Sequence, residues 1–149
     1  MSKFPIVKLH EKFTLASWEP VLDYSGLGQL IKNYFHIAIP DEYLTFITLM
    51  ADVELKVMDS TSYIRIWGAA GCSEMNAAYH IQDYIPHALA IGDDEGGKVI
   101  FYAEGKEGFG LYLVGFGNLD LDDVLYIDIA PSLEALLIEG IGAEIFLAA

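Results

Sequence analysis

Four groups of side chains have types and spacings that could do chemistry. Cys72 stands a short way before His80, and a thiol near an imidazole can serve as a nucleophile. His80, Asp83 and His87 bring together nitrogen and oxygen ligands of the kind zinc takes. The run Asp93-Asp94-Glu95 offers oxygens to a hard cation. Asp120, Asp122 and Asp123 have the clustered carboxylates of two-metal phosphoryl chemistry.

A plainer reading competes with each. A single cysteine beside a helix start is more often a small packing residue than a nucleophile. Pro86 interrupts the path from His80 to His87, so the two imidazoles are not placed on one helix face. The 93–95 run lacks the spacing and the distal glutamate of a calcium loop, and with Gly96-Gly97 behind it reads as a tight hairpin turn. Phosphoryl enzymes need cationic clamps beside their carboxylates, and cations are scarce here. Gly105-Lys106 is followed by Glu107 rather than Ser or Thr, so it is no phosphate loop. No catalytic residue, cofactor site or metal site is expected, and the chain reads as a non-enzyme.

The charge points elsewhere. The net charge is −14. Six basic and eight acidic residues lie up to Arg65, against two basic (Lys98 and Lys106) and 14 acidic from Ile66 onward. Such a field repels nucleic acid and anionic lipid, and it attracts a basic protein and speeds encounter with it. The competing plain reading is that the whole of this charge serves to keep an apolar-rich chain in solution.

These side chains need a scaffold. At 149 residues the chain is one domain, able to bury a core without staples. Cys72 is its only cysteine, which suits a reducing compartment, the cytoplasm. Met1-Ser2-Lys3-Phe4-Pro5 has no apolar stretch behind it, so no secretory signal is read, and no apolar run is long enough to span a membrane.

Residues 1–24 read as an N-terminal arm packed on a domain over 25–149, the two forming one globular unit. Ser25 is expected to cap a helix through Leu27, Leu30, Ile31, Tyr34 and Phe35. Pro40 opens a second helix, with Asp41 and Glu42 at its positive end and Tyr43, Phe46 and Ile47 inward. Strands are expected at 53–58, 63–67, 89–92, 98–103 and 109–116, with a further strand or extended lead-in at 124–129. Ser73 is expected to cap a short helix between the second and third of these. Ser132 introduces a last helix that Gly140 stops, followed by a turn and a final short strand. Helices first, then hairpin-linked strands, then a closing helix indicate an α+β domain, a mainly antiparallel sheet flanked by helices.

This order resembles the SUKH superfamily, in particular its Smi/Knr-like branch. The resemblance rests on Ile39-Pro40-Asp41-Glu42-Tyr43 opening a helix, on Leu89-Ala90-Ile91-Gly92 leading into Asp93-Asp94-Glu95-Gly96-Gly97, and on Ala130-Pro131-Ser132-Leu133 introducing the last helix. It covers about Ser25 to Gly140. It implies the SUKH fold and a non-catalytic role in binding protein. Many bacterial relatives are immunity proteins that neutralise toxins, often nucleases, and fungal relatives regulate cell-wall assembly through partners.

The leading expectation is therefore an immunity protein that binds a basic toxin domain. The alternatives are an endogenous regulator or scaffold of the Smi/Knr type and, behind it, a metal-dependent hydrolase. Contact residues are expected among Glu74, Asp83, Asp93, Asp94, Glu95, Asp120, Asp122 and Asp123. Trp18, Trp67, Tyr79, Tyr84 and Tyr102 are candidate aromatic anchors, although core packing is the commoner use of such residues. The high apolar fraction leaves room for a homodimer face.

Overall fold

A computed structural model describes residues 9–34, 36–119 and 127–147. Its frame is a seven-stranded antiparallel sheet in which spatial order follows chain order, β1-β2-β3-β4-β5-β6-β7. The strands are β1 (Phe13–Pro20), β2 (Met50–Val57), β3 (Tyr63–Ile66), β4 (Leu89–Asp93), β5 (Lys98–Gly105), β6 (Gly108–Gly115) and β7 (Ile127–Ala130). Helices α1 (Ser25–Asn33) and α2 (Asp41–Leu49) connect β1 to β2, and α3 (Ala69–Ala78) and α4 (Ile81–Tyr84) connect β3 to β4. Helix α5 (Leu133–Leu137) follows β7, and two 3-10 turns lie at Phe116–Asn118 and Ala143–Leu147. The expected α+β domain with a mainly antiparallel sheet is what forms.

Alternation sets the faces. On β2, Val53, Leu55 and Val57 are buried, while Glu54 and Lys56 keep partial contact with water. The middle strands β5 and β6 have no polar face: Val99–Ala103 and Gly110–Val114 are buried continuously. Strands covered on both sides read as unbroken apolar runs, which these are. The connection between them is the shortest in the sheet, with Gly105 paired to Gly108 across Lys106-Glu107. The Tyr112 hydroxyl closes that turn, accepting from Glu107 N (3.0 Å) and donating to Gly108 O (2.7 Å).

Helix α2 begins after Pro40, whose φ of −59° and ψ of 140° hold the chain extended up to the first turn. Tyr43, Phe46 and Ile47 fill the core beneath it. The adjacent Glu42 reaches across the molecule. Its carboxylate accepts from the backbone N–H groups of Leu133 (2.6 Å) and Glu134 (2.9 Å) at the start of α5, and from the Tyr102 hydroxyl (2.5 Å) on β5. The Ser132 hydroxyl accepts from Ala135 N (3.0 Å), so the orphan donors of this short helix are satisfied. A second polar node pins α3 to β4. Buried Asn76 donates to Cys72 O (2.7 Å) and Ala90 O (2.8 Å) and accepts from Ala90 N (3.0 Å) and Gln82 Nε2 (2.9 Å). Both halves of its amide are thereby used.

Three expected local features differ, and part of the expected arm takes a regular form. Ser25 does not cap α1: Tyr24 holds the N-cap position, and the Asp23 carboxylate accepts from Ser25 N (2.9 Å). Ser73 lies inside α3, which starts four residues earlier at Ala69. The cap there is tertiary, since Asp52 from β2 accepts from Gly68 N (2.9 Å). The expected final strand is instead the 3-10 turn Ala143–Leu147, which buries Ala143 and Phe146 one turn apart. Residues 13–20, read as part of the arm, are the edge strand β1, paired along its length with β2. Phe35 of the first expected helix and the arm's residues 1–8 lie outside the described residues.

Glu42→Ala should strip two backbone donors and a buried phenol of their acceptor. The expected loss is about 2–3 kcal/mol, read from chemical denaturation.

Candidate functional site

The acidic turn between β4 and β5 is the best-formed polar feature on the surface. Asp94 Oδ1 accepts from Gly96 N (2.8 Å) and Lys98 N (3.0 Å), and Asp93 Oδ1 accepts from Glu95 N (2.8 Å). Asp93 Oδ2 accepts from the Trp67 indole N–H (2.9 Å). Glu95 sits at φ +58° and Gly97 at φ +100°, conformations that close the turn. The carboxylates thus fix the backbone of the turn, and the second oxygen of Asp94 makes no protein hydrogen bond among the described residues.

Register adds partners that the sequence did not reveal. Glu54 pairs with Arg65 across β2 and β3, and Arg65 pairs with Asp93 across β3 and β4. Side chains at directly paired positions share a face. Arg65 Nη2 accordingly lies 3.3 Å from Glu54 Oε2 and 3.7 Å from Glu95 Oε2. One guanidinium therefore serves two carboxylates. Burial of the Glu95 side chain, the hydrogen bond it shares with Glu54 and the charge of Glu54 push its carboxyl up to about 7, against the pull of Arg65. Beside this cluster an open groove of about 480 Å³ runs between Thr61-Ser62-Tyr63, the turn residues 94–96, Lys98 and Phe146.

The other expected contact residues are spread out. Glu74 is exposed on α3 and borders a different groove, against Ser25, Gly26 and Gln29 of α1. Asp83 is exposed on α4, 3.5 Å from His80 Nδ1. Asp120, Asp122 and Asp123 lie outside the described residues. The expected pool therefore contributes three residues, Asp93, Asp94 and Glu95, to one place. Glu54 and Arg65 are the members that sequence reasoning missed. Their alternation on β2 and β3 put them on the wet face, but only the strand register brings them together.

The aromatic residues separate cleanly. Trp67 and Tyr102 are core, at 3% and 2% exposure, while Trp18, Tyr79 and Tyr84 are open to solvent. Cys72 is sealed inside, its Sγ 3.3 Å from Ala90 O. Burial pushes its thiol up to about 12, which disfavours the thiolate that a nucleophile needs. Among the described residues no three His, Cys, Asp or Glu side chains gather as metal ligands would. No helix there is long and apolar enough to cross a membrane.

Comparison of the chain with protein families finds no match, and comparison with curated proteins finds none either.

Because Glu95 titrates near 7 in the fold against an ordinary 4.5, the unfolded chain releases this proton first as pH rises. The stability this carboxyl contributes should be complete below 4.5, fall as pH climbs to about 7, and stay level beyond. Urea unfolding of Glu95→Gln should lack that fall, so the difference between wild type and variant should change across this window.

Proposed function

We propose that this domain is a non-catalytic protein-binding module of the immunity type, and that its acidic turn meets a basic partner. The observation that carries the reading is the arrangement of Asp93, Asp94 and Glu95. The Asp93 and Asp94 carboxylates brace a turn that carries Glu95 beside an open groove, where a partner can meet negative charge without first ordering a loop. The uneven charge supports it. Only Lys98 and Lys106 offset 14 acidic residues from Ile66 onward, and a field of that kind steers a cationic surface inward. The Smi/Knr-like resemblance of the sequence supports the same reading, since members of that family work through protein partners.

Cleavage chemistry has less support. The thiol is sealed, and the His80–Asp83 pair stands in solvent with side chains 69% and 78% exposed. An exposed pair of this kind lacks the desolvated setting that tunes a catalytic base.

The test uses the partner recovered from the native cell. Charge reversal at Asp94→Lys and Glu95→Lys should slow association about tenfold at low salt and flatten its dependence on ionic strength. Association that keeps its rate and salt slope would remove the turn from the interface. An adjacent gene for the captured partner, encoding a toxin, fits immunity, and a partner unlinked to this gene fits an endogenous regulator.

A further inference from the structure

A second groove, of about 340 Å³, opens between the end of α3, the end of α4 and the 3-10 turn after β6. Three aromatic rings line it. Tyr79 packs on Phe116 with ring centroids 4.2 Å apart and planes tilted by 33°. Tyr79 nevertheless remains 40% exposed, and Tyr84 is 53% exposed. The backbone shapes the space: His80, between the two helices, takes φ +54° and ψ +42°, a left-handed conformation that turns the chain sharply from α3 into α4.

The electrostatics of the groove have one sign. Helix α3 runs for 10 residues and ends at Ala78, so the negative pole of its dipole falls at the groove wall. Asp83 stands beside it on α4, 78% exposed. Among the described residues the lining includes no Lys or Arg, and His80, its one basic side chain, lies against Asp83. Ring faces, a helix C-terminus and a carboxylate each favour a cation. A cation that is flat, weakly hydrated and able to stack suits ring faces better than a compact ammonium does.

We propose that this groove receives an arginine-bearing segment of the protein partner, the guanidinium lying on the Tyr79, Tyr84 and Phe116 rings near Asp83. The idea rests on the protein-binding reading and gives it an aromatic anchor apart from the acidic turn. Arginine and tyrosine are the residues on which binding energy concentrates when they meet. Two exposed tyrosines in a groove whose described lining holds no Lys or Arg supply one half of such a contact.

The test needs the isolated protein and three end-capped peptides, identical except that two positions carry arginine, lysine or citrulline. Amide chemical shifts are followed as each is added. The arginine peptide should move the signals of Tyr79, His80, Tyr84, Phe116 and Gly117, the lysine peptide should move them less, and the citrulline peptide should leave them still. Tyr84→Leu should weaken arginine-peptide binding about two- to fivefold. Tyr79→Phe keeps the ring, so it should bind as wild type and show that the fold is intact. A still groove, or equal shifts from the citrulline peptide, would overturn the inference. So would shifts confined to residues 93–98, a result that leaves the acidic turn standing as a contact surface. Failure of the turn itself is read separately, from the charge-reversal kinetics.

Discussion

One carboxylate ties together three elements that lie far apart in the sequence. Glu42 sits in the first turn of α2, yet its oxygens are taken up by Tyr102 on β5 and by the backbone at the start of α5. A buried phenol and two orphan helix donors would each be costly without an acceptor. Their shared solution fixes α2 and α5 against the same part of the sheet. The pattern Pro40-Asp41-Glu42-Tyr43 thus holds more than a helix start. Pro40 sets the entry, Tyr43 fills the core and donates to Trp67 O (2.6 Å), and Glu42 closes a second helix 91 residues away.

Polar groups do similar work elsewhere. Asn76 uses its amide to join α3 to β4 and to Gln82 of α4, and Asp52 completes the first turn of α3 from a neighbouring strand. The acidic turn continues the theme at the surface, where Asp93 and Asp94 hold loop backbone in place. Asp94 is structural at one oxygen and makes no protein hydrogen bond at the other among the described residues, whereas Asp93 and Glu42 have both oxygens taken up by the fold.

This division explains what could be read in advance. Local signals gave real elements: proline before α2, alternation along β2 and glycine pairs at the β5–β6 turn all depend on near neighbours. Caps were misplaced where the capping group comes from elsewhere. Nothing near Ser73 marks Ala69 as a helix start, because Asp52 supplies the acceptor. β1 escaped notice because its pattern is weak, with an exposed second half and register shifts along its pairing with β2. At the site, the turn of Asp93, Asp94 and Glu95 was legible as a turn. The convergence of Glu54 and Arg65 on it was not, since that follows from which strands lie side by side. The aromatic groove was legible only as a set of residue types, because burial alone separates Tyr79 and Tyr84 from Trp67 and Tyr102.

A sheet whose strands lie in chain order never has to thread one segment past another. Where the connection is short, as from β5 to β6, pairing of successive strands keeps the entropy of loop closure small. The β5–β6 hairpin closes the shortest loop and is the natural place for the sheet to begin. β1 stands at the other extreme. Its pairing partner follows only after two helices, so during synthesis this strand waits with the edge that β2 will cover still open.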